Sequence, residues 1–378
     1  MARPFYRKLY LRAMRTARRV GLRKRRSQQT MQSARCLGPR IAVIGGGTGL
    51  STMLRGLKTY TENITAIVSV SDDGGGSGML REDLGMLPPG DIRNCITALA
   101  NTEPTMMELL NYRFPEGVNK GQSFGNLFLA ALNGISGSFE EAVTRMNEVL
   151  AVTGKVLPVT NANVNLVADF ENGASVVGES KIAAKKKQQH CRIRQVRLEP
   201  DHARALPHAV DAILSADLIL LGPGSLYTSI IPNLLVDGIV DALKQAKAPK
   251  VYVLNIMTQD GETEGYTAFD HLDALVQHSA PGLVDACIYN TAPVPDCIQA
   301  RYKTEDAEPV EMDMARFRAA GIEMYGYPLI ASGSKFARHD PALLAQAVVQ
   351  VFSECCGARE GVYGAYDMLA RETEPGKI

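Results

Sequence analysis

Three features are absent from this sequence, and each absence excludes a class of protein. No apolar run approaches roughly eighteen residues, so no membrane-spanning helix is expected. The seven cysteines are scattered without C-x-x-C spacing, which indicates neither a zinc site nor a disulfide framework and favours a reducing, cytoplasmic location. The Arg-rich N-terminus contains no apolar stretch, unlike a secretory signal.

Acidic residues are absent from positions 1–40, which contain 13 Lys or Arg residues. Subtracting these 13 from the 41 basic residues of the chain leaves 28 against 40 acidic residues, a net charge of −12 for the other 338 positions. A body with that charge is not expected to bind nucleic acid. We expect residues 1–40 to be a basic, disordered tail. The alternatives are a basic helix on an anionic membrane or on nucleic acid, and an artefact of start-site choice, because Met31 also offers a start.

Short apolar runs alternate with helical patterns from position 41 onward. Such runs begin at Ile41, Ile64, Asp217, Val251 and Ala286, as expected for buried parallel strands. Strands that alternate with helices predict an α/β fold, a parallel sheet with helices on both faces. We therefore expect one α/β domain over residues 41–378.

Residues 91–200 interrupt this alternation. Their first part, to position 150, is helical in pattern, and the remainder is typical of strands. Asn172-Gly173 is a strong signal for a β-hairpin turn. Lys185–Lys187 is predicted to be the exposed tip of a further turn. We interpret 91–200 as a helical and β-hairpin elaboration between the two halves of the α/β unit.

Three glycine-rich turns follow predicted strands. Glycine between a strand and a helix lets a phosphate approach backbone N–H groups, and the helix N-terminus adds partial positive charge. Because the carboxyl ends of parallel strands share one edge, the turns should meet at one ligand-binding crevice. The alternative is tight helix–strand packing without a ligand. The candidate residues of the first and third turns are Gly45, Gly46, Gly47, Thr48, Gly49, Gly222, Gly224 and Ser225.

The second turn begins with two aspartates, Asp72 and Asp73, followed by three glycines. Two carboxylates at a strand end could hold Mg²⁺ beside a phosphate. They could also accept a hydrogen bond from a ribose or sugar hydroxyl. The alternative is that aspartate serves only as a turn residue, which accounts for one of the two better than for both.

Polar residues at the starts of two predicted helices fit the same crevice. Asp91 is expected to be the N-cap of a helix that also carries Arg93 and Asn94, and Arg93 could reach a phosphate. Asn126, near the start of another helix, could donate to and accept from a base or sugar. For each, the alternative is a surface charge or a helix cap.

Two residues near the C-terminus complete the candidate set. Arg338 could clamp a phosphate, and Tyr302 could stack on a base. The adjacent pair His339 and Asp340 is not credited as a catalytic dyad, because neighbouring residues rarely pair side chain to side chain in that role. No motif in the sequence identifies a nucleophile.

The motifs GGGTG, SDDGGGSG, PGDIRN, QSFGN and GPGSLYTS together resemble the YvcK family of gluconeogenesis factors. That family belongs to a larger group similar to the 2-phospho-L-lactate transferase CofD. The resemblance covers about residues 41–360 and implies a Rossmann-like body that binds a nucleotide conjugate. In the YvcK branch it implies a UDP-sugar such as UDP-N-acetylglucosamine, with Tyr302 and Arg338 at positions that the branch uses for the ligand.

The resemblance also implies a role in cell shape, cell-wall synthesis and growth on gluconeogenic carbon sources, with no established reaction. Cell-wall synthesis proteins and further copies of the chain are possible partners. The alternative is a transferase that acts on a nucleotide-activated phosphoester with Mg²⁺ held by Asp72 and Asp73. In the transferase branch the position of Asp73 contacts a deazaflavin, but Gly74–Gly76 here replace bulkier residues of that branch.

Overall fold

The computed structural model of the chain describes residues 38–356. The predicted basic tail, apart from its last three residues, lies outside this range. Ten strands are found in the described part of the chain: β1 (Ile41–Gly45), β2 (Ile64–Val68), β3 (Lys155–Pro158), β4 (Asn165–Phe170), β5 (Ser175–Val177), β6 (Ile193–Glu199), β7 (Leu218–Leu221), β8 (Lys250–Val253), β9 (Ala286–Asn290) and β10 (Glu323–Tyr327).

One turn of π-helix at Leu226–Ile230 leads directly into the short α-helix Ile231–Leu234. The α-helices are α1 (Gly47–Leu57), α2 (Gly75–Leu84), α3 (Gly90–Leu99), α4 (Pro104–Asn111), α5 (Phe124–Gly134), α6 (Phe139–Val149), α7 (Glu179–Gln189), α8 (Pro207–Ser215), α9 (Ile231–Leu234), α10 (Ile239–Gln245), α11 (Ala268–Gln277), α12 (Asp296–Lys303), α13 (Met314–Ala319) and α14 (Pro341–Cys356).

Seven strands form one parallel sheet in the spatial order β10-β9-β8-β7-β1-β2-β3. β1 pairs with β2 on one side and with β7 on the other, so that Ile41 lies beside both Ile64 and Leu218. The chain builds outward from β1 to β3 and then returns to β7, next to β1, before building outward again. The strand order therefore reverses between β1 and β7. This is the predicted α/β architecture, a Rossmann-like parallel sheet flanked by helices.

The central strands are apolar because both of their faces are covered. All five residues of β1 and all four of β7 are buried. α1 carries Leu50, Leu54 and Leu57 on its buried face, at the spacing of an amphipathic helix, and it packs against α3 and α14. Within residues 38–356, no helix has the length and apolar character needed to cross a membrane.

In the elaboration, the predicted hairpin is present, but one predicted turn is not. β5, β4 and β6 form a separate antiparallel sheet, and Asn172-Gly173 turns the chain between β4 and β5, as predicted. Lys185–Lys187 is not an exposed turn but part of α7, so that prediction was wrong. The strongly helix-forming sequence continues through the lysines, and Lys186 pairs with Glu264.

Two strands of the main sheet differ from expectation. β3, inside the predicted elaboration, is the edge strand of the main sheet beside β2. β10 was not predicted, because its Glu-Met-Tyr-Gly-Tyr sequence is partly exposed at the other edge and has no continuous apolar run. Both are edge strands, whose composition is less constrained because one side lacks a neighbour.

Candidate functional site

A cavity of about 340 Å³ lies at the carboxyl ends of β1, β7 and β8. Its walls come from the first turn of α1, the turn after β7, the loop after β8, α12 and residues 337–339. Four larger cavities in the described part of the chain, two of about 570 Å³ and two of about 790 and 840 Å³, are lined by none of the predicted site residues. Because open α/β sheets bind ligands at the carboxyl edge where the strand order reverses, the smaller cavity is the candidate site.

The glycine-rich turn after β1 reaches this cavity through its last two residues. Thr48 and Gly49 line the cavity, whereas Gly45 and Gly46 are buried. α1 begins at Gly47, and no side chain of the preceding residue caps it. The N–H groups in the first turn of a helix have no partner within the helix and carry partial positive charge. The start of α1 therefore supplies a wall that attracts anions.

The turn after β7 packs directly on α1. A Cβ atom at Gly49 would lie 2.6 Å from the carbonyl oxygen of Pro223, so only glycine allows this close approach. Gly224 is bound in both directions by Asn255: its N–H donates to Oδ1 at 3.3 Å, and its carbonyl accepts from Nδ2 at 2.8 Å. The Gly224 N–H is thus already paired, which leaves α1 as the main source of amides for an anion.

The two ends of the turn after β7 have separate roles. The Gly222 N–H donates to the carbonyl of Ile44 at 2.9 Å and continues the pairing of β1 with β7. The Ser225 hydroxyl donates to Oε1 of Gln259 at 2.7 Å. Both Ser225 and Gln259 line the cavity, so this bond fixes one polar part of its wall.

Asp91 lies beside the start of α1. Pro89, not Asp91, is the N-cap of α3, so the predicted cap role was wrong. The Asp91 carboxylate instead reaches across to accept a hydrogen bond from the Gly47 N–H, and its Oδ2 would lie 2.6 Å from a Cβ atom at Gly46. Burial, with the nearby Asp72 charge, raises the pKa of Asp91 to about 7. The carboxyl group therefore keeps its proton to a higher pH than an exposed aspartate does.

Asp72 and Asp73 have different backbone partners. Asp72 Oδ1 accepts from the Gly74 N–H at 2.9 Å, inside its own turn. Asp73 Oδ1 accepts from the Ser180 N–H at 2.8 Å and so ties the turn to the start of α7. Among residues 38–356, no group of three or more His, Cys, Asp or Glu side chains is arranged to hold a metal ion. Magnesium binding by the two aspartates thus stays a prediction.

Two further carboxyl groups, those of Glu179 and Glu262, have raised pKa values. Burial, and secondarily the Asp72 charge, raises the pKa of Glu179 to about 8. Burial raises the pKa of Glu262 to about 7, although Glu262 accepts from the Thr228 hydroxyl at 3.1 Å and the Tyr227 N–H at 3.3 Å. Partial protonation of these groups near pH 7 limits the negative charge that an anionic ligand would meet.

Arg93 and Asn126 contact each other beyond the end of β2. Arg93 Nε donates to Asn126 Oδ1 at 3.3 Å, both side chains are buried, and burial lowers the pKa of Arg93. Asn94 is the next residue of α3 and is partly buried. None of these three lines the cavity. The predicted residues therefore form two groups, one at the cavity and one around Asp72 at the end of β2.

Tyr302 and Arg338 both line the cavity although 36 positions separate them. The Tyr302 hydroxyl accepts from the Ala337 N–H, and its ring meets Phe336 edge-on at 6.3 Å. The exposed guanidinium of Arg338 lies over the Phe336 ring, 5.4 Å from its centroid. The pair thus brings an aromatic ring and a cation to the same cavity as the first turn of α1.

The sequence patterns did not select nine of the fifteen residues that line the cavity, among them Asn255, Gln259 and His339. Asn255 is the second residue after β8, and the strand-end rule that selected the glycine-rich turns would also have found it. Gln259 belongs to the same loop. His339 was considered only as a partner of Asp340, and no sequence signal shows that its side chain lies in the cavity wall.

Comparison with known proteins places these features in a family context. The family described as 2-phospho-L-lactate transferase CofD matches residues 41–330. A protein of Thermoanaerobacterium thermosulfurigenes is 57% identical over 312 residues, 82% of this chain and 96% of that protein. The gluconeogenesis factor of Bacillus subtilis (strain 168) is 47% identical over 317 residues, 84% of this chain and 99% of its own length. A crystal structure of a UPF0052 family member from Bacillus halodurans matches with a TM-score of 0.79 at 44% identity, covering 82% of this chain and 98% of that chain.

Proposed function

The chain belongs to the CofD family and, within it, to the YvcK gluconeogenesis factors, and on that premise we propose that it binds UDP-N-acetylglucosamine or a related nucleotide sugar. In this proposal the bound protein regulates cell shape and cell-wall synthesis and is needed for growth on gluconeogenic carbon sources. One observation carries the proposal. The start of α1, Tyr302 and Arg338 all line one cavity at the carboxyl ends of β1, β7 and β8.

The charge balance of the cavity suits a diphosphate. The body has a net charge of −12, so an anionic ligand needs local positive potential. The start of α1 provides backbone N–H groups at Thr48 and Gly49, and Arg338 provides a guanidinium that pairs strongly with phosphate oxygens. Protonation of Asp91 would reduce the repulsion beside α1.

The remaining cavity wall suits a nucleoside. Tyr302 presents an aromatic ring, and Ile256 and Met257 add apolar surface. Asn255 and Gln259 add polar side chains to this wall, held in place by their bonds to Gly224, Ser225 and Glu262. A volume of about 340 Å³ is at the small end of the range for ligand pockets. We infer that it encloses one part of the conjugate while the rest extends outward.

The transferase alternative depends on Asp72 and Asp73 acting together on Mg²⁺. Their carboxylates accept from backbone N–H groups of two different segments, at Gly74 and Ser180. This arrangement favours structural roles for both aspartates over a shared cation. A direct measurement is incubation with UDP-N-acetylglucosamine or a nucleotide-activated phospholactate and Mg²⁺, followed by assay of released nucleotide. Multiple turnovers would support the transferase and contradict a purely regulatory protein.

Calorimetric titration tests the binding proposal. UDP-N-acetylglucosamine, UDP-glucose, UDP and GDP-mannose are compared on the full chain, and we expect the uridine compounds to bind. Arg338→Ala should weaken binding of UDP-N-acetylglucosamine about ten- to a hundredfold, equivalent to about 1.4–2.7 kcal/mol. Arg318→Ala, which removes an exposed arginine of α13, is the matched control and should change affinity less than twofold. No binding by the parent chain, or equal affinity in both variants, would contradict the assignment of this cavity.

Complementation tests the cellular part of the proposal. The chain is expressed in a Bacillus subtilis strain that lacks its own gluconeogenesis factor, and growth is followed on a gluconeogenic carbon source. We expect growth and normal cell shape to be restored by the parent chain and by Arg318→Ala. Failure of the parent chain, at normal protein levels, would argue against a shared regulatory role.

A further inference from the structure

Glu262 is a buried carboxyl group that bonds to the wall of the cavity. It is 3% exposed and does not line the cavity itself, whereas Ser225 and Gln259 are partly exposed and do. Three neighbours donate hydrogen bonds to it. Oε1 accepts from the Thr228 hydroxyl at 3.1 Å and from Nε2 of Gln259 at 2.9 Å, and Oε2 accepts from the Tyr227 N–H at 3.3 Å. The carboxyl group therefore joins the π-helical turn to the loop after β8.

An ionised carboxylate fixes the direction of the hydrogen bonds that lead from it to the cavity. A carboxylate oxygen can only accept, so the atom of the Gln259 amide that faces Glu262 is the nitrogen. The amide oxygen of Gln259 then faces Ser225, and the Ser225 hydroxyl donates its single proton to that oxygen at 2.7 Å. Because the proton is used inside the protein, Ser225 has only lone pairs to offer a ligand.

Gln259 is held by its own backbone turn. Its N–H donates to the Thr263 hydroxyl at 2.9 Å, and its carbonyl accepts from the N–H groups of Glu262 at 3.1 Å and Thr263 at 2.9 Å. The side chain therefore stays between Glu262 and Ser225, and a half-turn of its amide is enough to exchange the oxygen and the nitrogen. The wall can reverse its polarity in this way without a change in the backbone.

We propose that Glu262 is a positioning residue that acts through Gln259 and makes the Ser225 side of the cavity accept, rather than donate, hydrogen bonds. This inference rests on the proposed function and adds to it the side of the cavity that each part of the ligand meets. The diphosphate carries only acceptor oxygens at neutral pH, so it belongs at the start of α1 and Arg338. A hydroxyl or N–H group of the sugar or nucleoside belongs at Ser225.

Glu262→Gln reverses these bonds without removing them. An amide nitrogen in place of Oε2 would point a donor at the Tyr227 N–H, which belongs to the backbone and cannot turn away. The nitrogen must therefore replace Oε1, where Thr228 can rotate its hydroxyl and Gln259 can turn its amide oxygen toward it. Nε2 of Gln259 then faces Ser225, whose proton becomes free to point into the cavity. No bond is lost and a buried charge is removed, so the melting temperature of the variant should not fall.

Calorimetric titration tests whether Glu262 acts through Gln259. At pH 8 we expect Glu262→Gln to weaken UDP-N-acetylglucosamine binding about tenfold, because the reversed wall presents a donor to a ligand donor. In a Gln259→Leu background the same change should alter affinity less than twofold, since the connection to Ser225 is already broken. Glu264→Gln, which alters a carboxylate of the same loop that pairs with Lys186, is the matched control and should change affinity less than twofold. Equal weakening by Glu262→Gln in both backgrounds would mean a structural role and overturn the inference.

Ligand analogues identify the group that meets Ser225. The set consists of UDP-N-acetylglucosamine analogues methylated at uracil N3, lacking the ribose 2′- or 3′-hydroxyl, or lacking a sugar hydroxyl or the acetamido N–H. One analogue should bind the parent chain about tenfold more weakly than the complete ligand does. In Glu262→Gln the same two compounds should differ less than threefold.

A change of pH makes the same test on the unaltered chain. Burial raises the pKa of Glu262 to about 7, so the carboxyl group gains a proton between pH 8 and pH 6 and can then donate to the amide it faces. The parent's preference for the complete ligand over that analogue should therefore shrink at pH 6. The titratable side chains around Glu262 are Tyr227 of the π-helical turn and Glu179 and Lys186 of α7, and Asp91 titrates in the same range. All four remain in Glu262→Gln, whose preference should not change with pH.

The two proposals fail in different ways. If the parent and Glu262→Gln rank every compound alike at both pH values, the inference fails while the proposed function stands. If the parent binds no nucleotide sugar, both are overturned.

Discussion

Replacement of Asp91 by asparagine should make the protein more stable, and increasingly so as the pH rises. The Asp91 side chain is partly buried beside Asp72 and the start of α1, and its pKa is raised from 3.8 to about 7. Its proton is thus held roughly a thousandfold more tightly in the folded than in the unfolded chain, which corresponds to about 4 kcal/mol. Asparagine has a similar size, keeps an oxygen that can accept from the Gly47 N–H and never ionises.

The pH range of the effect follows from the two pKa values. Below pH 3.8 the carboxyl group is protonated in both states, and it costs no folding free energy. Between 3.8 and about 7 the unfolded chain releases its proton first, so stability falls by about 1.4 kcal/mol per pH unit. Above about 7 the loss is complete. The cost is therefore about 2 kcal/mol at pH 5 and about 4 kcal/mol at pH 8.

Urea unfolding of the parent and of Asp91→Asn at pH 5, 6, 7 and 8 measures this difference. We expect the free energy of unfolding of the variant to exceed that of the parent by about 2 kcal/mol more at pH 8 than at pH 5. Asp83→Asn, which alters an exposed aspartate of α2, is the control and should show no such trend. A stability difference between Asp91→Asn and the parent that does not vary with pH would refute the reasoning.

Three other outcomes follow from the structure. Tyr302→Ala should weaken UDP-N-acetylglucosamine binding about tenfold in calorimetric titration, because the ring packing is lost, and Tyr302→Phe should weaken it less. Equal affinities in the parent and both variants would show that this ring is not part of the site. Gly49→Ala should lower the melting temperature by several degrees and weaken binding, because the new Cβ meets the Pro223 carbonyl at 2.6 Å; an unchanged melting temperature would show that the turn yields easily. Deletion of residues 1–30 should leave the melting temperature and the affinity unchanged, and a fall of more than a few degrees would contradict the prediction of an independent tail.

Much of the fold could be read from local pattern. Strands β1, β7, β8 and β9 are short, continuous apolar runs because both faces of a central parallel strand are covered, and such runs stand out in a sequence. Asn172-Gly173 predicted its hairpin because few residues adopt that turn. β10 was missed for the opposite reason, since a partly exposed edge strand needs no apolar run.

Motif and position together located part of the candidate site. The glycine-rich turns were recognisable because the approach of α1 to Pro223 admits no side chain at Gly49. The resemblance to a known family pointed to Tyr302 and Arg338, and both line the same cavity as the start of α1. Composition alone would not have selected either residue. In a sequence, an arginine or tyrosine that binds a ligand cannot be told apart from one on an ordinary surface.

Only the tertiary structure decided which partner each polar residue of the candidate site binds. Asp91 looked like a helix cap, yet it pairs with the Gly47 N–H, 44 positions earlier, and Arg93 pairs with Asn126. Asp72 and Asp73 are adjacent in sequence but bind different segments. Burial, hydrogen bonding and pKa depend on which distant segments the sheet brings together. The sequence by itself determines which groups can ionise or donate, and the packed structure determines which of them remain available to a ligand.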